Sequence, residues 1–328
     1  MVLEAACPGP RLNRRQFVAL MGAVTASRSA LAQDTWRPAG PVRMVVPYPP
    51  GGSADILIRL IAPGLGERVR QPVVVENKGG ATGSIGSGFV YAAPADGTTL
   101  LVGLSDPLSI YPHLIRTTYD ATKFVPVASI GSTPFVLLAR PDLPVANLQE
   151  LTQLARRQPL SYANAGVGGS IHMTTLEFAR TAGIDNMLHV PYTGMTPALQ
   201  ALMGSQVDAM FCAVGGTTQY RSRLKFLGVT ASERVPAIAE VPTFQEQGLP
   251  LVKELWMGVL APPRTPAPVT ATLAKAIEEI VASAAYRTKA EELAMRTQAM
   301  VQGEFARYYL DEYRKWGELA RAANVKLD

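Results

Sequence analysis

Four times along this chain of 328 residues, a short β-rich run breaks into a glycine-rich turn and resumes with apolar residues three and four apart. The segments are PYPPGGSADILIR (47–59), ENKGGATGSIG (76–86), YANAGVGGSIHM (162–173) and VPYTGMTPALQALMGSQVD (190–208). An apolar period that switches from strand-like to helix-like across a turn reads as strand, loop and helix. Repeated, it predicts an α/β fold with parallel sheets covered by helices on both faces.

The rest of the chain fits that frame. RMVVPY (43–48), PVVVEN (72–77) and TTLLVG (98–103) read as strands, with helices over 53–69, 85–94 and 107–115. FVPVASIGSTPFVLLARP (124–141) holds two strand-like runs with no long helix between them, which marks a crossing from one domain to another. A second set follows, with strands at 160–165, 187–192, 207–214 and 224–230 and helices at 148–158, 170–183 and 196–206. ELWMGVLAPP (254–263) then leads into a helical tail. At 328 residues the length itself suggests two domains.

The first 32 residues read as a removable export signal. Basic residues precede a short apolar run, Phe17 to Ala26, and Ala30-Leu31-Ala32 supplies a small-residue cleavage site. That run is too short to span a bilayer. Arg14-Arg15 resembles a twin-arginine signal, but Asn13 and Val18-Ala19 depart from it, which leaves the Sec route open. The leader carries a net +3, so the formal charge of +5 falls to about +2 without it. The remaining basic residues are scattered among acids, which argues against a nucleic-acid partner. Cys7 lies in the leader, so Cys212 stands alone in an apolar run and reads as a small buried hydrophobe.

The glycine turns carry the chemistry. Helix starts present unpaired N–H groups and the positive end of a dipole, which suits an anion. In the first turn Gly51 and Gly52 permit close main-chain approach, Ser53 reads as the N-cap and Asp55 as a first-turn acid. No Lys follows, so this is not a nucleotide P-loop. In the third turn Ser170 reads as a cap for a helix beginning at Ile171. In the fourth, Thr196 reads as a cap with Pro197 at the first helical position. Asp106 before Pro107 reads first as a cap and second as a counter-charge for a ligand amine.

Enzyme readings have less behind them. ENKGGATGSIG misses a dinucleotide fingerprint because Ala81 stands at the first glycine position, although Asp106 lies where a ribose-binding acid would be. GGSAD and GGSIH are not nucleophile elbows, which leaves Ser53 and Ser170 without that support. His113, His172 and His189 show no metal-ligand spacing, and His172 and His189 read as packing or capping residues, with a ligand contact as the alternative for His172.

Taken together, these segments resemble the substrate-binding receptors of tripartite tricarboxylate transporters, the Bug family. The match runs from PVRMVVPYPPGGSADILIR through VVVENKGGATGSIG, PADGTTLLVG, PVASIG and VPYTGMTPALQALMGSQVD to VPTFQEQGLP and WMGVLAPPRTPAPV. The resemblance implies a type II periplasmic binding-protein fold, two α/β lobes around a ligand cleft joined by crossing strands. Lobe 1 would take residues 41–134 plus 255–328, and lobe 2 residues 135–254. It implies a monomeric, non-enzymatic periplasmic receptor without cofactor or metal. Such a receptor captures a small carboxylate for membrane transporter subunits; a sensor role and an NAD-dependent oxidoreductase are the alternatives.

The ligand would meet Tyr48, Pro50, Gly51, Gly52, Ser53 and Asp55 in the first turn, and Gly83 and Ile85 in the second. Ser105, Asp106, Gly168, Ser170, His172, Tyr192 and Thr193 would complete the site. Met195-Thr196, Cys212-Ala213 and GLSDPLSIYP depart from the family pattern where the far end of the ligand should lie.

Overall fold

The apolar β-branched runs and the segments of helical period form, in chain order, β1 (Val42–Val46), α1 (Ser53–Val69), β2 (Val73–Asn77), α2 (Ser84–Tyr91) and β3 (Thr99–Leu104). Next come β4 (Val125–Ala139), α3 (Leu148–Arg157), β5 (Ser161–Asn164), α4 (Ser170–Ala182), β6 (Leu188–Pro191) and α5 (Met195–Met203). The chain continues with β7 (Ala209–Ala213), β8 (Lys225–Val229), β9 (Glu254–Ala261), α6 (Ala267–Val281), α7 (Ala284–Glu292) and α8 (Gln302–Ala322). This computed structural model describes residues 36–297, 299–325 and 327. The export signal assigned to residues 1–32, with Cys7, Arg14 and Arg15, lies outside the described residues.

One strand organises the whole. The sequence reads residues 124–141 as two strands, but β4 is a single strand of 15 residues that serves two sheets. Val125–Pro134 pair antiparallel with β9, in a sheet ordered β2-β1-β3-β9-β4. Phe135–Ala139 pair antiparallel with β7 on one side and β8 on the other, and β7 continues to β5 and β6. Register shifts between Pro126 and Ala128, and between Ser129 and Gly131, bend the strand without ending it. The predicted parallel pairing holds for β1 with β2 and β3, and for β5 with β6 and β7. β4, the strand that serves both sheets, makes only antiparallel pairs.

The second sheet is buried on both faces, which explains its unbroken apolar runs. Phe135, Leu137 and Ala139 point into a core with Phe178, Phe211 and Phe244, whose ring centroids lie 5.8 Å apart. Val136 and Leu138 point the opposite way, toward Leu199, Leu202, Met210 and Cys212. Cys212 is the small buried hydrophobe its context predicts, 1% exposed, with Sγ against Met195 Sδ at 3.3 Å. Burial pushes its thiol up to about 12.

Thr230 stitches the crossing. Its hydroxyl accepts the Phe135 N–H at 2.9 Å and donates to the Lys253 carbonyl, while its own N–H donates to the Phe135 carbonyl at 2.9 Å. The first sheet packs beneath α8, where Trp256, Phe305 and Tyr309 meet edge to face at 5.7 and 5.3 Å.

Gly258 sits at the centre of that sheet, opposite Gly103 of β3 and Ser129 of β4. A Cβ there would run into the Phe305 ring and come within 3.0 Å of the Ala128 carbonyl. Overpacking a tight core costs about 1–3 kcal/mol. Gly258→Ala should therefore lower the urea midpoint by that much stability with an unchanged m-value; an unaltered midpoint would contradict this packing.

Candidate functional site

The four glycine turns end in helices whose N-caps are all glycine. Gly52, Gly83, Gly169 and Gly194 cap α1, α2, α4 and α5, and none of these caps makes a side-chain hydrogen bond. This corrects the cap positions read from sequence. Ser53 and Ser170 are the first helical residues, not caps, and α5 begins at Met195, ahead of Thr196. Glycine is accepted at an N-cap, and the chain turns there. The consequence is chemical. A Ser, Thr, Asp or Asn cap spends its oxygen on the N2 or N3 amide, as Asn147 does on Glu150 at the start of α3. A glycine cap leaves those amides for something else.

At α1 they remain open. The first helical bond runs from Ile56 N–H to Gly52 O at 3.0 Å, so the first-turn N–H groups have no partner within the helix. Asp55 is turned to partners within the protein. Its Oδ2 accepts the Gly51 N–H and Arg59 Nε, both at 3.0 Å. Its Oδ1 accepts Arg59 Nη2 and Asn77 Nδ2, both at 2.9 Å. Asn77 also donates to the Tyr48 carbonyl at 3.1 Å. The hydrogen bond to Arg59 leads the effects that hold the Asp55 carboxyl down at about 2. Asp55 and Asn77 thus lock the PYPPGG turn. Gly51 takes φ +92, the left-handed region that favours glycine. Gly52 has φ −72 with open space where a Cβ would be, and Pro50 and Gly52 are exposed.

The second turn works differently. Gly83 N–H donates to Gly80 O at 3.0 Å, and a Cβ at Gly83 would lie 3.1 Å from Pro107 and 3.4 Å from the Tyr48 ring. That glycine is therefore packed against Pro107 and the Tyr48 ring. Ile85 is 57% exposed and packs on Gly80. Ala81 and Thr82 both hold positive φ, +45 and +51, a strained pair beside the site. Tyr48 Oη donates to the Thr82 carbonyl at 3.2 Å.

Ser105 and Asp106 part company. Ser105 is buried, with its hydroxyl accepting the Trp256 N–H at 2.9 Å, which ties it to β9. Asp106 opens a single wide turn, Asp106–Ile110. Its carboxylate faces the N–H and hydroxyl of Ser170 at the start of α4, and does not cap its own turn. Burial pushes that carboxyl up, opposed by Ser170. Tyr48 and Tyr111 are raised by burial first and by the Asp106 charge next, which places both phenols near it; Tyr111 is pushed up to about 12.

Around α4, Gly168 N–H donates to His172 Nδ1 at 3.0 Å, and His172 stacks on His189 at 4.4 Å. Burial, then His189, push His172 down to about 4, which keeps the ring neutral at neutral pH. Both histidines therefore pack within the protein. The Tyr192 N–H closes on the Asn164 carbonyl at 3.0 Å, and Thr193 is exposed.

The structure thus brings Tyr48, Gly83, Asp106 and Ser170 together. Sequence reading missed Tyr111, Thr82, Asn77 and Arg59. Only Arg59 left a signal there, its i,i+4 spacing from Asp55. A recess of about 580 Å³ lies elsewhere, against the crossing strands between Ser132, Glu254 and Tyr308. Its charges pair internally, as in Arg296–Glu254 at 2.6 Å and Lys253–Glu177 at 3.0 Å, so it offers no open counter-charge comparable to the α1 amides. Among the described residues, no three His, Cys, Asp or Glu gather as a metal-ligand set.

Two mixed sheets joined through β4, with glycine-capped helix starts after their parallel strands, define a binding-protein architecture of the periplasmic type. Residues 57–325 match the family model described as the tripartite tricarboxylate transporter family receptor, and the chain belongs to that family. A UPF0065 protein from the tcbD-tcbE intergenic region of Pseudomonas sp. strain P51 is 35% identical, over 95% of this chain and 96% of its own. The solved periplasmic binding protein BugD is 32% identical with a TM-score of 0.72, covering 88% of this chain and 99% of its own. R. palustris Rpa4515, solved with adipate, is 29% identical with a TM-score of 0.75, covering 88% and 99%.

The Asp55 lock titrates with a definite sign. A carboxyl held below its unfolded value contributes stability above that value and loses it as pH falls through the folded one. The stability difference between wild type and Asp55→Asn should be full above the ordinary value of 3.8 and shrink toward nothing near pH 2. Denaturant titrations of both proteins from pH 6 to pH 2 measure it; a difference that grows on acidification would contradict the lock.

Proposed function

We propose that this chain is exported by cleavage of residues 1–32 and works in the periplasm as a monomeric receptor that captures a small organic carboxylate for a membrane transporter. In this reading residues 41–134 plus 255–328 form one lobe and residues 135–254 the other, and the guest sits between them. Export would follow the twin-arginine or the Sec route. The protein performs no chemistry on its guest and uses no cofactor.

The observation that carries the reading is the open first turn of α1, whose one nearby acid is already neutralised. Unpaired N–H groups at a helix start, on a turn held rigid from behind, form an anion site without a cationic side chain. The solved relative that holds adipate is a carboxylate binder of the same fold, which supports the same ligand class here. Rigidity matters because ordering a loop on binding subtracts from affinity.

Gly52→Asp tests the site by filling it from within. The new side chain has room, and its backbone angle suits a non-glycine residue. Aspartate at an N-cap accepts the first-turn amides and stabilises the helix by a few tenths of a kcal/mol relative to glycine. The variant should therefore melt at or above the wild-type temperature while losing the thermal shift that small carboxylates give. The probes are first identified by mass spectrometry of molecules released from denatured wild-type protein. A full carboxylate-induced shift in Gly52→Asp would overturn this reading.

A further inference from the structure

We infer that Asp106 receives a protonated amine of the guest, so that this receptor selects an amino carboxylate over a plain dicarboxylate. The inference rests on the proposed carboxylate site at α1 and names what lies at the other end of the guest.

Asp106 Oδ1 is shut off from solvent and has no hydrogen-bond partner among the described residues. Its carboxylate meets the N–H and hydroxyl of Ser170, and no Lys or Arg stands among the groups that act on it. The two phenols beside it are turned elsewhere, Tyr48 to the Thr82 carbonyl at 3.2 Å and Tyr111 to the Thr82 side chain. Buried carboxylates are normally paired, and an unpaired one is costly. The contrast with Asp55 is direct, since that acid has four donor contacts, two of them from an arginine.

Asp106 follows β3 of the first sheet, whereas Ser170 begins α4, which packs on the second. The Tyr111 hydroxyl also reaches across, 3.5 Å from where a Cβ at Gly169 would lie. A guest entering between the two halves parts the Asp106–Ser170 contact and has to replace both donors. An ammonium brings three donors and a positive charge, and so also serves Oδ1. A second carboxylate in the same place would face Asp106 with like charge.

The test uses matched probes on the mature chain: adipate against 6-aminohexanoate, and each dicarboxylate of three to six carbons against the α- and ω-amino acids of equal length. Calorimetry on wild type should give amino carboxylates an advantage of about 10- to 100-fold, the span of one charge-assisted hydrogen bond pair. Asp106→Asn should erase or reverse that preference, while Gly52→Asp should abolish binding of both classes. If wild type prefers dicarboxylates, or if Asp106→Asn folds and keeps the wild-type preference, the inference fails and the carboxylate site stands. If no carboxylate of either class binds, or binding ignores Gly52→Asp, the site reading fails and this inference with it. The wild-type preference alone decides the matter should Asp106→Asn not fold.

Discussion

A helix start with no side chain to close it is the constraint on which this structure turns. Every α-helix leaves its first N–H groups without an internal partner, and most sequences satisfy them with a neighbouring oxygen. Here the caps at Gly52, Gly83, Gly169 and Gly194 carry none. Away from these turns the ordinary solution returns, with Asn147 capping α3 and Ser283 capping α7. The chain can make side-chain caps, and at these four glycine turns it does not.

An open amide turn attracts anions only if the local charge permits it. Asp55 sits within the first turn, where an acid favours the helix dipole but would repel a carboxylate guest. The fold resolves the conflict by folding Arg59 back one turn onto Asp55 and closing the pair with Asn77 from β2. The acid then serves to grip the Gly51 amide and hold the turn, and its charge is spent. This arrangement explains how the turn can contain an acid and still suit the anion proposed for it.

Much of this was readable from the sequence, for physical reasons that differ by element. The 53–69 helix was read with its observed bounds because its apolar spacing is strong and Val69 ends it before an Arg in left-handed geometry. The four turns were legible because glycine clusters between a strand and a helix have few other uses. Cap positions were misread by a residue or two, because Ser53, Ser170 and Thr196 are good caps locally and the backbone turns at the glycine before them. β4 was read as two strands because its alternation is broken by the shifts near Ser129 and Gly131, which only the pairing with β9 reveals. The partners of Asp106 were invisible, since Ser170 lies 64 positions away and on the other side of the crossing. Ser105, adjacent in sequence, belongs to the core contact with Trp256 and not to the cleft.

In the proposed cleft the two ends are therefore unequal, and the inequality is energetic. At α1 the first-turn amides have no partner among the described residues, and a guest there would gain from them directly. At α4 the first amide and the Ser170 hydroxyl face the Asp106 carboxylate, so in the proposed cleft a guest gains there by what it adds beyond that contact. Hydrogen bonds to a charged group are worth about 1.5–3 kcal/mol each, so that exchange is a large fraction of a small ligand's binding energy. A ligand shifts the balance between open and closed forms only through its differential affinity for them. Under the proposed function the α1 end would supply capture common to any carboxylate, whereas the Asp106 end would decide which guests repay the contact they displace. Selectivity in such a cleft would come from the contact that must be broken, and not from the anion site that does the holding.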